Sequence, residues 1–301
     1  MTLEMLIGSG LVEEHVPLGP LTTYKAGGPS RFYARPENSA QLGQVAEAVK
    51  GMHLPILVLG RGSNLLVADS GFDGLTIHMA TGFAAISYDG IEVTAEAGAP
   101  LPRVARGSVD AGIAGLEFLV GIPGSVGGAV RQNAGCFGIE TRDRLVSARI
   151  IDLPSGTDFN ADPDKLEMGY RHSNVKADWV VVSAVFAGSG PTEGSHSKEE
   201  LRRITRWRKE NQPGGTLNAG SVFKNPEGST AGYLIDNAGL KGFGLGQVAV
   251  SKKHANFFVA SPTATSEEIR ALIFEVRRLV NERAGVDLEP EIQMVGFDDD
   301  D

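Results

Sequence analysis

The sequence has little of three things: cysteine, long apolar runs and positive charge. Cys136 is the single cysteine among 301 residues, so no internal disulfide can form, which is typical of proteins in a reducing cytoplasm. No apolar run approaches the roughly 20 residues that span a bilayer, so we expect no membrane partner. The 28 Lys and Arg residues are outnumbered by 37 Asp and Glu residues, and this charge balance argues against a nucleic-acid partner. The His and Cys spacing of a metal site is also missing.

Apolar periodicity predicts a mixed α+β protein. Helices are expected at 38–50, 101–109, 198–210 and 266–284, the last beginning with a capping box of Thr265 and Glu268. Strands are expected at 56–59, 75–79, 91–95, 148–152, 179–186 and 288–297. The stretch 187–197 is rich in Gly, Ser and Pro and is the best candidate for a domain boundary.

Glycine is abundant, with 39 residues in the chain, and clusters of glycine occur in 60–74, 121–138 and 214–246. Gly60-Arg61-Gly62 directly follows a predicted buried strand, and its amides can form a concave nest for a pyrophosphate. It is not a Rossmann fingerprint, because Leu65 takes the third glycine position and no helix is predicted to follow. Taken alone, this segment also fits an ordinary strand-to-turn connection.

A second glycine segment, 115–135, follows later in the same half of the chain. Two such segments suit a long ligand with a diphosphate centre and a planar ring. That description fits a flavin dinucleotide better than a mononucleotide. A packed glycine-rich turn is the alternative interpretation.

Four motifs in the first half carry a family resemblance. Gly60–Asn64 and Gly121–Gly128 resemble the FAD-binding fold shared by vanillyl-alcohol-type oxidases and UDP-N-acetylenolpyruvoylglucosamine reductases. Thr22–Gly28 and Asn133–Gly138 resemble reductase motifs, with Cys136-Phe137 where Ala-Tyr is more usual. The resemblance implies two subdomains of the vanillyl-alcohol-oxidase (PCMH) type, 1–75 and 76–190, followed by a C-terminal α/β substrate-binding domain, 191–301. The implied FAD-binding residues are Thr23, Gly60, Arg61, Gly62, Ser63, Asn64, Gly121, Ile122, Pro123, Gly124, Ser125, Gly127, Gly128, Asn133 and Gly135.

The remaining motifs resemble the reductases alone. They are Gly169-Tyr170-Arg171-His172-Ser173, Gly220-Ser221-Val222-Phe223-Lys224-Asn225-Pro226, Val250–Phe257 and Leu288-Glu289-Pro290-Glu291-Ile292. The resemblance implies three catalytic residues: Arg171, Ser221 as proton donor, and Glu291. It implies substrate binding by Tyr170, Lys224, Asn225, Lys253 and Asn256, and no role for His172.

Two positions qualify the resemblance. In an extended strand Glu289 and Glu291 would face the same side, so the choice of Glu291 rests on the resemblance. Ala249 stands where the family usually has Gln, with Gln247 two positions earlier, which puts one substrate contact in doubt.

The resemblance implies a complete reaction. NADPH reduces FAD, and flavin N5 then delivers hydride to the enolpyruvyl group of UDP-N-acetylglucosamine enolpyruvate, giving UDP-N-acetylmuramate for peptidoglycan. About fifty residues separate Arg171 from Ser221, as in the shorter family form without an inserted tyrosine loop. We expect a monomer. The alternatives are a flavin oxidase of the same superfamily and a silent paralogue that binds a uridine nucleotide-sugar without turnover.

Overall fold

The computed structural model describes residues 1–191 and 195–297. The helices in these ranges are α1 (Leu3–Ser9), α2 (Ser39–Val49), α3 (Leu101–Asp110), α4 (Val126–Gln132), α5 (Ser195–Asn211), α6 (Ala231–Asn237) and α7 (Ser266–Ala284). The strands are β1 (Val12–Pro17), β2 (Pro29–Ala34), β3 (Ile56–Leu59), β4 (Leu65–Val67), β5 (Phe72–His78), β6 (Ile86–Asp89), β7 (Glu92–Glu96), β8 (Ile113–Ala114), β9 (Gly135–Cys136), β10 (Ile139–Glu140), β11 (Leu145–Asp152), β12 (Thr157–Ala161), β13 (Trp179–Ala187), β14 (Gly190–Pro191), β15 (Gly244–Leu245), β16 (Val248–Val250), β17 (Phe258–Ala260) and β18 (Gln293–Val295). No helix in the described ranges combines the length and apolar character that crossing a membrane requires.

The chain packs as two units. Unit 1 comprises residues 1–16, 31–61, 74–191 and 195–206, and unit 2 comprises 17–30, 62–73 and 207–297. The chain therefore leaves unit 1 three times: between Val16 and Pro17, between Arg61 and Gly62 inside the first glycine segment, and within α5. The three-part division of the chain at residues 75 and 190 stays a prediction.

Two sheets and two amphipathic helices build unit 1. One sheet has the strand order β1-β2-β5-β3, with β3 and β5 parallel, and the other has the antiparallel order β12-β11-β13-β7-β6. Asn38 caps α2 by accepting a hydrogen bond from the Gln41 amide at 3.0 Å, as a short polar N-cap residue does. The apolar faces of α2 and α3 are buried in the core, through Leu42, Val45, Val49, Leu101, Val104 and Ala105.

Unit 2 is organised around α7. Its apolar stripe of Ile269, Leu272, Ile273, Val276 and Val280 belongs to the same core as β16 and β17. Thr265 and Glu268 form the predicted capping box, and Gly285 ends the helix at φ 70°. The Asp69 carboxylate also accepts hydrogen bonds from the first two amides of α7, those of Ser266 and Glu267, at 3.0 and 3.1 Å.

The predicted helices all lie within a few residues of observed ones, and one strand was wrong in extent. The strand expected at 288–297 is limited to Gln293–Val295. The preceding residues instead pair with the segment around Val222: the Lys224 amide donates to the Glu289 carbonyl at 2.9 Å, and the Glu291 amide donates to the Val222 carbonyl at 2.7 Å. The helices α1, α4 and α6 were not predicted.

The α7 cap generates a stability prediction. Thr265→Ala removes the hydroxyl that accepts from the Glu268 amide, so we expect a loss of about 1 kcal/mol in the free energy of unfolding. Urea titration measures this loss. The control is Glu282→Ala, which breaks only an exposed ion pair with Arg278 on the same helix and should cost below about 0.5 kcal/mol. Equal losses in the two variants would contradict the capping role.

Candidate functional site

In unit 1 the two predicted cofactor segments meet at Gly60 and Ser125. A Cβ atom at Gly60 would lie 2.3 Å from the Ser125 hydroxyl oxygen, and one at Gly128 would lie 3.7 Å from the same oxygen. Ser125 is the N-cap residue of α4, is buried, and makes no capping hydrogen bond with its side chain. Gly127 packs against Ala97, whose Cβ would be 3.0 Å from an added Cβ. Glycine at positions 60 and 127 therefore lets the backbone pack closely against Ser125 and Ala97, which fits the compact turn of a pyrophosphate cradle.

His78 and Tyr33, which the sequence analysis missed, form a hydrogen-bonded pair next to Gly60. The His78 imidazole donates a hydrogen bond to the Gly60 carbonyl, and its Nδ1 lies 2.7 Å from the Tyr33 hydroxyl. Burial lowers the pKa of His78, as does the nearby charge of Arg35, while the hydrogen bond to Gly60 acts in the opposite direction. His78 therefore stays neutral near pH 7 and fixes the carbonyl of the first glycine.

In unit 2 the first glycine segment continues at Gly62. Its φ is 58°, and an added Cβ would lie 2.5 Å from the Leu21 carbonyl oxygen and 2.8 Å from the Thr22 Cα. The Gly62 carbonyl accepts from the Thr23 amide at 3.0 Å and from the Thr23 hydroxyl at 3.3 Å. The structure therefore brings together Thr23 and Gly62, two predicted cofactor-binding residues, and only glycine fits the second position.

Asn64 joins this segment to the predicted acid Glu291. The Asn64 side-chain amide donates to the Glu291 carbonyl at 2.9 Å, and the Asn64 carbonyl accepts from the Gln293 amide at 3.0 Å. Directly after Asn64, β4 pairs in parallel with β18. Ser63 lies between Gly62 and Asn64, partly buried, and Arg61 is exposed at the end of unit 1.

The Ser221 segment lies beside Glu291 in the same unit. Val222, the next residue after Ser221, donates its amide to the Asn256 carbonyl at 2.9 Å and accepts from the Glu291 amide at 2.7 Å. Gly220, with φ 79°, makes the turn that leads into Ser221. A hydroxyl donor and a carboxyl group thus come from two backbone segments that are hydrogen-bonded to each other.

Asn256 holds this segment in place. It is 3% exposed, its Oδ1 accepts from the Phe223 amide at 3.0 Å, and its Nδ2 donates to the Phe223 carbonyl at 2.8 Å. Direct contact between Asn256 and substrate stays a prediction that this burial does not support.

The other predicted substrate-binding residues of unit 2 have partners within the protein. The Lys224 ammonium lies 2.6 Å from the Glu289 carboxylate, whose side chain is 69% exposed. Asn225 accepts from the Ala231 amide at 3.0 Å, and the Lys253 ammonium donates to the Lys209 carbonyl at the C-terminal end of α5 at 2.5 Å. Glu289 and Glu291 therefore differ: the first is an exposed partner of a lysine, whereas the second is partly buried beside the Ser221 segment.

Arg171 lies in unit 1, at the tip of a two-residue turn closed by mutual backbone hydrogen bonds between Gly169 and His172 at 3.0 and 3.1 Å. Its φ of 51° is uncommon for a residue with a long side chain, and such strain clusters at functional sites. The guanidinium donates to the Gly135 carbonyl at 3.1 Å and lies 5.0 Å from the Tyr170 ring centroid. The structure thus brings together Tyr170, Arg171 and Gly135.

Asn133, predicted to bind the cofactor, is completely buried and ends α4 with φ 42°. Its side-chain amide donates to the Glu140 carboxylate at 2.9 Å and to the Gly169 carbonyl at 2.7 Å, and its Oδ1 accepts from the Arg142 amide at 2.9 Å. This burial gives the predicted cofactor contact no support, so that contact stays a prediction. Glu140, another residue that the sequence analysis missed, is ion-paired with Arg171 at 3.4 Å.

Ala249 lies in β16, where it pairs with Val259. The Gln247 amide oxygen accepts a hydrogen bond from the Ser261 hydroxyl at 3.0 Å, so this side chain already has a structural partner. No group of three or more potential metal ligands occurs within residues 1–191 and 195–297.

The tight fit at Gly62 yields a prediction. Gly62→Ala forces a Cβ against the backbone of Leu21 and Thr22, which cannot move aside as a flexible side chain could, so we expect at least a 10-fold loss in FAD affinity by fluorescence titration. Gly228→Ala is the control, because Gly228 has φ 75° but no atom within 4 Å of an added Cβ. Unchanged FAD affinity in Gly62→Ala would contradict the assignment of this turn.

Three comparisons with known proteins agree with this geometry. Residues 30–161 match the FAD binding domain family, and residues 212–295 match the C-terminal domain of UDP-N-acetylenolpyruvoylglucosamine reductase. Relatives with that reductase name include one from Azorhizobium caulinodans, 42% identical over 96% of this chain and 92% of its own length. Another, from Synechococcus sp. (strain WH7803), is 39% identical over 99% and 97%. The crystal structure of UDP-N-acetylenolpyruvylglucosamine reductase from Thermus caldophilus superposes with a TM-score of 0.80 at 33% identity, covering 94% of this chain and 98% of that one.

These findings confirm the predicted fold class, an FAD-binding fold followed by a separate C-terminal domain, and they confirm FAD as the cofactor. The chain is an FAD-dependent oxidoreductase and belongs to the family of UDP-N-acetylenolpyruvoylglucosamine reductases.

Proposed function

We propose that this protein uses NADPH and FAD to reduce the enolpyruvyl group of UDP-N-acetylglucosamine enolpyruvate to UDP-N-acetylmuramate, a precursor of peptidoglycan. The observation that carries the proposal is the backbone pairing at Val222, which sets the Ser221 segment beside Glu291. Both residues match the catalytic positions of the family motifs, and so does Arg171.

The glycine segments fit FAD, since glycine at positions 60, 62 and 127 allows a close backbone approach where an added Cβ would collide with neighbouring protein atoms. When bound, the flavin supplies a hydride to the terminal carbon of the enolpyruvyl double bond. The chain's own task is then to bind the substrate carboxylate, stabilise the negative charge that develops beside it and deliver a proton.

Arg171 is the residue best suited to the carboxylate. Its planar guanidinium can make two parallel hydrogen bonds to a carboxylate, and these strengthen as negative charge moves from the double bond onto the carboxylate oxygens. The turn from Gly169 to His172 and the bond to the Gly135 carbonyl hold the guanidinium in a defined direction before substrate arrives. This preorganisation is the usual source of electrostatic catalysis.

Glu291 and Ser221 complete the chemistry. In its carboxylic acid form, the Glu291 side chain can donate a hydrogen bond to the substrate carboxylate as the charge of that carboxylate grows. The Ser221 hydroxyl then donates a proton to the carbon next to the carboxylate. A serine hydroxyl is a weak acid, but the enediolate-like intermediate is a strong base, so this transfer is favourable.

NADPH is the proposed hydride source for FAD. The sequence has no separate dinucleotide fingerprint, which supports alternate use of one pocket by NADPH and the nucleotide-sugar. The single cysteine is consistent with a cytoplasmic location, and the negative net charge is consistent with a protein that binds no nucleic acid.

The proposal is tested by visible absorption under anaerobic conditions. NADPH should bleach the flavin band of the purified holoprotein, and UDP-N-acetylglucosamine enolpyruvate should then restore it. A flavin that NADPH reduces but the enolpyruvyl substrate does not reoxidise would refute the substrate assignment. Oxygen consumption with a sugar substrate would instead point to a flavin oxidase.

Ser221→Ala separates the two half-reactions. Removing the proton donor should slow reoxidation by substrate about 10²–10⁴-fold, the usual effect of losing a positioned general acid. Reduction by NADPH needs no proton from this hydroxyl, so its rate should change less than about 2-fold. Stopped-flow absorption measures both rates, and Ser229→Ala, in a nearby turn, serves as control. Reoxidation at the unmodified rate in Ser221→Ala would exclude Ser221 as the proton donor.

A further inference from the structure

Glu140 holds the centre of a hydrogen-bonded network around Arg171, although no motif assigned it a role. Its carboxylate accepts from Arg171 Nη1 at 3.4 Å, from the Asn133 side chain at 2.9 Å and from the Asp143 amide. The ion pair is largely shielded, with side-chain exposures of 18% for Arg171 and 23% for Glu140. A shielded pair with further hydrogen bonds fixes geometry much better than an exposed surface pair.

Asn133 closes this network into a ring. The same side-chain nitrogen donates to Glu140 and to the Gly169 carbonyl, and Gly169 is the residue whose backbone closes the turn that carries Arg171. Both the backbone and the guanidinium of Arg171 are therefore tied to Asn133, the second through Glu140. Complete burial of Asn133 makes this link rigid.

Gly135 provides the second acceptor for the Arg171 guanidinium. It pairs with Glu140 between β9 and β10, and its carbonyl accepts from Arg171 Nη2 at 3.1 Å. A Cβ at this position would lie 2.8 Å from the Glu140 Cγ and 3.2 Å from Arg171 Nη1. The two guanidinium nitrogens are thus oriented by two acceptors on one short hairpin.

We propose that Glu140 is a positioning residue, which holds the Arg171 guanidinium in the orientation that receives the substrate carboxylate. The inference rests on the proposed function, because it assigns a purpose to the orientation of Arg171. Without Glu140, the long arginine side chain loses one of the two acceptors that this hairpin provides and gains rotational freedom.

Glu140→Ala should slow reoxidation of the reduced flavin by the enolpyruvyl substrate about 10- to 100-fold, the range expected when a substrate-orienting group is displaced by about 1 Å. Glu140→Gln should have an intermediate effect, because Arg171 and Asn133 donate to different carboxylate oxygens and the amide nitrogen that replaces one of them cannot accept a hydrogen bond. Reduction by NADPH should stay within about 2-fold of the unmodified protein, since this half-reaction does not depend on the substrate carboxylate.

Asp143→Ala is the matched control. Asp143 forms the other half of the capping box with Glu140, accepting from the Glu140 amide at 2.8 Å. Its loss should lower thermal stability about as much as Glu140→Ala while leaving reoxidation within about 2-fold. If Asp143→Ala and Glu140→Ala slow reoxidation equally, Glu140 serves the fold of the turn only and the inference is wrong.

A double-mutant cycle completes the test. In the Arg171→Ala background, Glu140→Ala should slow reoxidation by less than about 2-fold more, because its effect acts through the arginine. Fully multiplicative effects would overturn the inference. If Arg171→Ala itself reoxidises at the unmodified rate, the proposed role of Arg171 fails first. If Arg171→Ala is slow and Glu140→Ala is not, only the inference about Glu140 fails.

Discussion

The hydrogen bonds of the Val222 backbone are the interaction on which the proposed chemistry of unit 2 depends. Its amide binds the Asn256 carbonyl and its carbonyl binds the Glu291 amide, so a single residue joins two segments that lie far apart in the sequence. Asn256 then fixes Phe223 through both ends of its side-chain amide, and Asn64 fixes the Glu291 carbonyl. Buried polar groups paired in this way are costly to disrupt, which gives the Ser221 segment a single well-defined position.

In unit 1 the geometry of the candidate site depends on two residues with left-handed backbone, Arg171 and Asn133. Arg171 and Asn133 have φ values of 51° and 42°, which residues other than glycine seldom adopt. Each is held by neighbouring hydrogen bonds: the turn from Gly169 to His172 fixes the first, and three contacts of the Asn133 side chain fix the second. The proposed function gives this strain a purpose, because a preorganised guanidinium needs no rearrangement when charge develops on the substrate.

Local signals predicted local structure well. The helices α2 and α7 followed from an apolar stripe and cap residues, all contained within one short segment. The strand expected at 288–297 was too long because residues 288–292 pair with the Val222 region, a distant partner that no local pattern reveals. The helix α4 was hidden by its glycines, which are poor helix formers. Among the candidate site residues, the motifs predicted Arg171, Ser221 and Glu291, whereas Tyr33, His78 and Glu140 belong to no motif and stand out only through their contacts with residues distant in the sequence.

In the proposed reaction, hydride addition to the enolpyruvyl group is followed by protonation of the carbon beside the substrate carboxylate. The most direct measurement is a single turnover of the NADPH-reduced holoprotein with UDP-N-acetylglucosamine enolpyruvate in D₂O, with the product examined by NMR. The Ser221 hydroxyl exchanges with solvent, so the account predicts deuterium on the carbon that bears the carboxylate. A product with only protium at that carbon would contradict the account, because the hydrogen there would not have come from a solvent-exchanging acid.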